Sequence, residues 1–234
     1  MISGLQKMTL LDFPGKIACT VFLHGCNYRC PFCHNSELLA GKPEPLMEVE
    51  AFLKFLKSRQ GLLDGVCVSG GEPTLQPGLG AFLKSIKDLG YAVKLDTNGS
   101  RPGVLKALVE QGLVDYVAMD IKNSPAQYGQ TIGKENPNLS GVEQSIRFLS
   151  EGNVGYEFRT TVVEQLHSEE SMLEMGKWLH QLTGGKADKL FLQRFVDRDT
   201  VMFAGLSAPD EEKMVRFRDV LAPYIQHVAI RGED

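Results

Sequence analysis

The sequence predicts an α/β protein, built as a partial (β/α)6-type TIM barrel with a parallel sheet and a short N-terminal β-hairpin. Short β-rich runs alternate with amphipathic helical stretches along the chain, which is typical of parallel strands joined by right-handed crossovers. Six or seven such units are too few to close an eight-stranded barrel. A Gly-x-Gly-x-x-Gly run, expected after the first strand of a nucleotide-binding doubly wound sheet, does not occur in the sequence.

Seven β-rich runs are the predicted strands of this barrel. They span residues 17–23, 65–69, 92–96, 116–121, 156–163, 189–193 and 225–230. Pro14 and Gly15 predict a type II turn between two N-terminal strands. We therefore expect one domain over residues 1–234, with a hairpin segment in 1–16 and the partial barrel in 17–230.

Helices are predicted between the strands from apolar residues that recur three or four positions apart. These residues are Val49, Phe52, Leu53 and Leu56, then Leu79, Phe82, Leu83 and Ile86, then Val142, Ile146 and Leu149, then Met172, Met175, Leu179 and Leu182, then Met214, Phe217 and Leu221. Capping boxes are predicted for Ser140 with Glu143 and for Ser207 with Asp210. Ser100, followed by Pro102, predicts one more helix start.

Composition and charge exclude several classes of function. Of the 234 residues, 43% are hydrophobic and 23% are charged, so a sizeable core is available. The net charge is −4 and no basic block occurs, which disfavours nucleic acid and anionic membranes as partners. No apolar run is long enough to span a bilayer. Because the first residues lack the basic and then apolar layout of a signal peptide, we expect a cytoplasmic protein.

The five cysteines fall into two groups. Cys19 and Cys67 lie inside apolar runs and are predicted to be small buried side chains. Cys26, Cys30 and Cys33 lie on the loop after the first barrel strand, at the spacing C-x3-C-x2-C. The odd total in a cytoplasmic chain argues against a disulfide framework.

Three thiolates on one loop can converge on a metal site. A structural zinc site requires four ligands, and the nearest fourth candidate, His34, directly follows Cys33 and cannot easily turn to the same ion. Three cysteines on a 4Fe–4S cluster would instead leave one iron open to a small molecule. A zinc site and a loop without metal remain as alternatives at this point.

Polar groups also follow the next three predicted strands, where parallel sheets carry their active sites. Gly70 and Gly71 permit a close approach of the backbone to a ligand, and Glu72 offers a negative charge to a cation, although a plain glycine turn explains the same residues. Asp96 and Asp120 end the following two strands, where an unpaired carboxylate is costly. Together with Lys122, these carboxylates are expected to form a polar cup that faces the cysteine loop.

The motif Cys26-x-x-x-Cys30-x-Phe32-Cys33 resembles the signature of the radical S-adenosylmethionine (SAM) superfamily. This resemblance implies that the three cysteines hold one 4Fe–4S cluster, that SAM chelates its open iron, and that Phe32 lies near the adenine. The run Gly70-Gly71-Glu72 is similar to a SAM-binding motif of the same superfamily.

The stretches at 96–99 and 120–122 are similar to those of the activating enzymes of glycyl-radical proteins. The similarity implies a monovalent cation near Asp96 and Asp120. It also implies SAM contacts at Asp96, Thr97, Asn98, Asp120, Lys122 and Arg159. For Arg159 a second interpretation stays open, because a strand arginine is often paired within the protein.

The segments 10–18, 25–27 and 33–35 resemble the activating proteins of anaerobic ribonucleoside-triphosphate reductase. The resemblance implies that flavodoxin or ferredoxin supplies an electron, that SAM is cleaved to a 5′-deoxyadenosyl radical, and that this radical takes hydrogen from a glycine of the reductase. Because only Cys19 and Cys67 remain, a second cluster is excluded. The alternatives are an activase of the pyruvate formate-lyase type, a small-molecule enzyme such as 7-carboxy-7-deazaguanine synthase, and a non-enzymatic metal-binding module.

Overall fold

The computed structural model describes residues 2–39, 46–185 and 187–232. These residues contain eight β-strands and seven α-helices. The strands are β1 (Ile2–Thr9), β2 (Ala18–Leu23), β3 (Gly65–Gly70), β4 (Ala92–Thr97), β5 (Tyr116–Asp120), β6 (Gly155–Val162), β7 (Lys189–Arg194) and β8 (His227–Arg231). The helices are α1 (Val49–Lys57), α2 (Leu79–Lys87), α3 (Pro102–Glu110), α4 (Tyr128–Ile132), α5 (Ser140–Ser150), α6 (Glu169–Thr183) and α7 (Glu211–Leu221).

The strands form one sheet in chain order, from β1 to β8. The pair β1–β2 is antiparallel, whereas β2–β3, β3–β4, β6–β7 and β7–β8 are parallel. Within the described residues β1 and β8 are the two edges of the sheet, so it does not close. The predicted fold class, a mostly parallel α/β sheet with an N-terminal hairpin, is confirmed.

The turn at the end of the hairpin has the predicted geometry. The Lys16 N–H donates to the Phe13 carbonyl over 3.1 Å, which closes a four-residue turn. Gly15, the third residue of this turn, has a φ of +70°, a value that favours glycine and fits a type II turn.

The chain forms two compact units. The first contains Met1–Asn27, Glu37–Thr97 and Gly103–Ala118, and the second contains Tyr28–Ser36, Asn98–Pro102 and Met119–Asp234. Strand β5 contributes three residues to the first unit and two to the second. The single domain expected from the sequence stays a prediction.

Each unit has its own apolar interior. In the first unit the inner residues of β2 and β3, including Cys19 and Cys67, are fully buried, and Phe52 and Leu56 of α1 are fully buried as well. The interpretation of these two cysteines as buried side chains is therefore confirmed. In the second unit the apolar stripe of α6, with Met172, Met175 and Leu179, is buried together with residues of β6, β7 and α7. Among the described residues, no helix combines the length and the apolar character that crossing a membrane requires.

The predicted helix caps are only partly right. Helix α5 begins at Ser140 itself, its cap position is Leu139 without a side-chain bond, and the predicted box with Glu143 is wrong. In α7 the Asp210 carboxylate accepts the Lys213 N–H over 2.7 Å, so Asp210 is the cap and the box from Ser207 is wrong. Both predictions are wrong because the predicted cap residues, Ser140 and Ser207, are not at the N-cap positions, which are Leu139 and Asp210.

Two further helix starts differ from the expectation in detail. A capping box does occur at α6, where Ser168 and Ser171 each accept the other's N–H over 3.1 Å. The usual pattern has Glu or Gln at the second position, so a serine gave no signal. Helix α3 begins at Pro102 as predicted, but Ser100 lies two residues earlier and donates its N–H to the Asn98 side chain over 3.0 Å. Ser100 is therefore not the cap.

Candidate active site

In the first unit, a buried carboxylate lies just beyond the end of β3. Glu72 has no solvent exposure, and its Oε1 accepts hydrogen bonds from the Thr74 N–H over 3.1 Å and from the Thr97 hydroxyl over 2.7 Å. The Thr74 hydroxyl donates to the same oxygen. The structure thus brings together Glu72 and Thr97, which the sequence placed on separate strand ends. Thr74 was missed, and its only sequence signal is its position two residues after Glu72.

Two glycines precede this carboxylate, and backbone packing explains both. A Cβ on Gly70 would lie 2.2 Å from the Leu23 carbonyl oxygen, and a Cβ on Gly71 would lie 2.1 Å from the Gly25 carbonyl oxygen. Hydrogen bonds link the same segments, since the Gly71 N–H donates to Leu23 over 2.9 Å and the Glu72 N–H donates to Gly25 over 2.8 Å. The sequence predicts that the backbone at these glycines approaches a ligand closely. In the structure, it lies close to the backbone of the residues that precede Cys26.

Cys26 belongs to the first unit and follows a fixed stretch of backbone. The Gly25 N–H donates to the Leu38 carbonyl over 2.8 Å, and the Gln76 amide donates to the His24 carbonyl over 2.5 Å. Gly25 has a φ of +85°, in the left-handed region that favours glycine. These contacts fix the backbone between β2 and Cys26, the first cysteine of the motif, which is half-buried.

Cys30 and Cys33 belong to the second unit. The Cys33 N–H donates to the Cys30 carbonyl over 3.1 Å, which folds this part of the loop into a tight turn. Cys30 is buried and Cys33 is half-buried. Burial raises the pKa of the Cys33 thiol, and the positive charge of Lys122 opposes that rise. Phe32, between them, is buried and lies under the Lys122 ammonium, 5.8 Å from its ring centre.

Helix α4, which the sequence analysis did not predict, supports this part of the loop. The Arg29 N–H donates to the Ile132 carbonyl over 2.9 Å. Gly133, at the end of α4, has a φ of +66°, and a Cβ there would lie 2.3 Å from the Arg29 carbonyl oxygen. Five residues are too short for a helical periodicity, so only the glycine marks this element in the sequence.

His34 connects the loop to the segment after β7. Its ring stacks on Phe195 with centres 5.5 Å apart, and its Nε2 is 2.6 Å from the Val196 carbonyl oxygen. The sequence predicts that His34 cannot easily bind the same ion as Cys33. The contacts of the His34 ring with the segment after β7 are consistent with that prediction.

A compact charge cluster lies at the end of β5 in the second unit. Asp120 accepts from the Lys122 ammonium over 2.8 Å and from the Arg159 Nε over 3.1 Å. Burial favours the neutral acid, but the two cations outweigh it and lower the pKa of Asp120 to about 2. Burial likewise disfavours the Lys122 ammonium, yet Asp120 and Cys30 outweigh it and raise its pKa. Arg159 is therefore paired, as one of its two interpretations expected, and the cluster carries two cations for one anion.

His167 holds the backbone of this cluster and was missed by the sequence analysis. The ring is buried, its Nδ1 accepts the Val163 N–H over 3.1 Å, and its Nε2–H donates to the Lys122 carbonyl over 2.9 Å. Burial lowers the pKa of His167, and the backbone bonds oppose that shift. A lone histidine after a strand gives no sequence signal of such a role.

The remaining predicted site residues have structural contacts as well. Asp96 of β4 lies 3.6 Å from the Lys94 ammonium in the first unit. Asn98, in the second unit, is buried and accepts the Ser100 N–H over 3.0 Å, which forms a turn. In the described part of the chain, no three His, Cys, Asp or Glu side chains are grouped to hold a single metal ion. In a 4Fe–4S cluster each thiolate binds a different iron, so this finding concerns single-ion sites.

Comparison with known proteins assigns the chain to a family. The family model described as the radical SAM superfamily matches residues 20–177, which include the three loop cysteines. A Methanocaldococcus jannaschii protein, assigned as a glycyl-radical enzyme activating enzyme, is 31% identical over 99% of this chain and 95% of its own length.

The chain belongs to the radical SAM superfamily, in its glycyl-radical enzyme activating family.

Two further proteins extend the comparison. A pyruvate formate-lyase-activating enzyme of Clostridium pasteurianum is 36% identical over 52% of each chain. The crystal structure of Streptococcus suis SuiB bound to S-adenosylmethionine matches 92% of this chain and 52% of that chain, with a TM-score of 0.67 and 12% sequence identity. This last similarity shows the shared fold. The chain is an enzyme of the radical SAM class.

Membership in the superfamily implies one 4Fe–4S cluster and SAM, and the residues present fit both groups. The donor set is suitable, because Cys26, Cys30 and Cys33 are not joined in disulfides and can supply thiolates. Two cations beside Asp120 suit a ligand carboxylate. The buried Glu72 carboxylate suits a ligand ammonium group.

Proposed function

We propose that this radical SAM enzyme generates a glycyl radical on anaerobic ribonucleoside-triphosphate reductase. The coarser part of this proposal, activation of a glycyl-radical protein, is supported by the relative that matches almost the whole chain. The reductase is favoured by the resemblance of the segments 10–18, 25–27 and 33–35 to its activating proteins. The structural observation that carries the chemistry is the loop of three cysteines outside any disulfide, the last two of which lie in the same unit as Asp120.

The residues have the following proposed roles. Cys26, Cys30 and Cys33 hold the cluster and leave one iron open for SAM. Bound together, the cluster and SAM supply a reductive cleavage that ends in removal of a hydrogen atom from a glycine Cα. Phe32 lines the position of the adenine, as the superfamily resemblance implies, and its ring is already held in place by burial beneath Lys122.

Charge orients SAM in this proposal. The Asp120 cluster has one positive charge in excess, so Arg159 and Lys122 attract the SAM carboxylate, while Asp120 keeps both cations in position. Glu72 accepts from the SAM amino group, and three protein donors to its Oε1 fix the orientation of the carboxylate. Gly70, Gly71, Asp96, Thr97 and Asn98 complete the proposed set of contacts at the strand ends.

The partners follow from the reaction. A hydrogen atom can be taken from a glycine Cα of a protein because glycine has no side chain to block the approach. A flavodoxin or ferredoxin is the proposed electron donor, and the cytoplasm is the proposed location, since cysteines outside disulfides persist in a reducing compartment.

The test is a radical measurement on mixed proteins under argon. Reduced enzyme, SAM and an anaerobic ribonucleoside-triphosphate reductase should give an electron paramagnetic resonance doublet, which collapses when the reductase contains α-deuterated glycine. A doublet with a pyruvate formate-lyase instead would change the partner. Rapid SAM cleavage without a doublet on any glycyl-radical protein would reject the activase function in favour of a small-molecule substrate.

A further inference from the structure

A buried lysine lies directly below one of the predicted SAM contacts. Lys94 of β4 has no solvent exposure. In the sheet register it is level with Cys67 of β3 and Thr20 of β2, and Asp96 is two residues further along the same face of β4. A buried ammonium is costly unless charges and hydrogen bonds compensate it, so the contacts of Lys94 indicate what it is for.

Two of those contacts are oxygen atoms that lie on different segments of the chain. The Lys94 Nζ donates to the Asp12 backbone carbonyl and lies 3.6 Å from the Asp96 carboxylate. The Asp12 segment is itself fixed, because the Asp12 carboxylate accepts the Thr20 hydroxyl over 2.5 Å and the Thr9 hydroxyl accepts the Asp12 N–H over 3.3 Å. The hairpin segment therefore holds a single positive charge at a defined position beside Asp96.

The Lys94 ammonium resembles a bound monovalent cation in its charge and in its oxygen neighbours. It presents one unit of charge to a carboxylate and a backbone carbonyl, the oxygen ligands that hard cations take in proteins. The other carboxylate for which a cation is predicted, Asp120 in the second unit, has Lys122 and Arg159 as partners at 2.8 and 3.1 Å. Each carboxylate thus has at least one basic side chain of its own unit beside it.

We infer that the Lys94 ammonium is a built-in counter-charge that positions Asp96 for SAM and takes the place of a dissociable monovalent cation there. The inference rests on the proposed function, in which Asp96 contacts SAM. It is an alternative to the bound cation that the family resemblance implies. A side-chain ammonium cannot be removed by dialysis, so SAM affinity should not depend on potassium or sodium.

The experiment compares SAM binding to the anaerobically reconstituted enzyme in two buffers, one with tetramethylammonium as its only cation and one with added potassium chloride. The wild-type affinity should be the same in both. Lys94→Met removes the charge and leaves the position of Nζ vacant, so its affinity in tetramethylammonium should fall about tenfold, as loss of a charged partner does. Potassium should restore most of the lost affinity, because the ion can enter beside Asp96.

Two further variants control the measurement. Lys84→Met removes an exposed lysine of α2 that pairs with Asp88, and it should bind SAM like the wild type in both buffers. Lys94→Met combined with Asp96→Asn replaces the pair by two neutral side chains and protects the fold if the single variant is unstable. Potassium should not restore SAM affinity in this double variant, because the carboxylate that would hold the ion has gone.

The outcomes separate the two proposals. A potassium requirement in the wild type would overturn the inference while the proposed function stands. Wild-type affinity of Lys94→Met in tetramethylammonium, a loss that potassium does not restore, or a potassium response in the double variant would also overturn it. A wild-type enzyme that binds no SAM in either buffer would overturn the proposed function and the inference together.

Discussion

Glu72 is a buried acid, and three protein donors bind one of its oxygens. These hydrogen bonds fix the orientation of the carboxylate. In the proposed function, this fixed carboxylate holds the amino group of SAM. Its charge, more than its shape, should therefore decide how tightly the ammonium group of SAM is bound.

Glu72→Gln keeps the shape of the side chain and removes its charge. We expect it to weaken SAM binding by about 1–3 kcal/mol, the cost of leaving a charged group without its partner. Thr97→Val, which removes one of the three donors, should have a smaller effect of the same sign. Equilibrium dialysis with labelled SAM measures both. The exposed Glu110→Gln on α3 serves as the control, and an equal loss of iron and SAM in Glu72→Gln would mean that Glu72 supports the fold instead.

The cysteines should differ in reactivity when the cluster is absent. Burial raises the pKa of Cys19 to about 12, and Cys19 has no solvent exposure, so its thiolate is both scarce and inaccessible. Cys26 and Cys33 are half-buried and should react first with iodoacetamide. Peptide mass spectrometry of the apo-enzyme gives the order of modification. The expectation is contradicted if Cys19 is alkylated as fast as Cys26.

At the scale of elements, the end of β3 and the start of the cysteine loop are packed through bare backbone. A Cβ on Gly71 would overlap the Gly25 carbonyl oxygen, whereas a Cβ on Gly103 of α3 meets no atom within 4 Å. A side chain at position 71 would therefore overlap the backbone, whereas one at position 103 has room.

Gly71→Ala should destabilise the protein, and Gly103→Ala should stabilise it by about 0.5–1 kcal/mol because alanine favours the helix. For Gly71→Ala we expect a loss of roughly 1–3 kcal/mol, as for overpacking in a close-packed interior. Urea unfolding of the apo-enzyme, followed by circular dichroism, measures both changes. A Gly71→Ala variant as stable as the wild type would show that the loop start can move away from β3.

The connection between β6 and α6 contains the buried His167, which bridges Val163 and the Lys122 carbonyl. Burial lowers its pKa below the ordinary value of 6.5, and Lys213 adds to that shift. The folded protein therefore keeps the ring neutral at pH values where the unfolded chain protonates it. The stability from this group is present above pH 6.5 and is lost as the pH falls from 6.5 towards the folded pKa.

His167→Gln should remove this pH dependence, since an amide can still donate and accept but does not titrate. Between pH 6.5 and the folded pKa, the wild type should lose up to about 1.4 kcal/mol of stability per pH unit relative to the variant. Urea unfolding of both apo-proteins at several pH values gives the difference. Parallel pH profiles for the two proteins would contradict the prediction.

At the scale of the whole molecule, the number of thiols limits the number of clusters. Only three of the five cysteines lie on the loop, and the other two are fully buried in β2 and β3. The reconstituted enzyme should therefore bind about four irons per chain. Ala at Cys26, Cys30 or Cys33 should abolish the visible absorbance of the cluster, and Cys19→Ala should keep it. A cluster that survives loss of Cys30 would reject this ligand set.

The local patterns of the sequence were sufficient for the framework of this enzyme. The strand runs match the observed strands to within two residues, because period-two and helical spacings record which face of an element is buried. The motif around Cys26, Cys30 and Cys33 identified the superfamily, since its ligand spacing is contained within one loop. Strand ends could be assigned to one edge of the sheet because parallel strands share their direction.

Only the tertiary structure decided which side chains meet. Lys94 gives no signal in the sequence beyond a charge within a strand, yet the fold places it against Asp12 and Asp96, 82 residues and two residues away along the chain. His167 meets the Lys122 carbonyl across 45 residues, and Gly71 meets the backbone of Gly25. Helix caps likewise depended on where a helix begins to within one residue. Spacing patterns record burial, whereas hydrogen bonds and ion pairs depend on distances between segments that only packing sets.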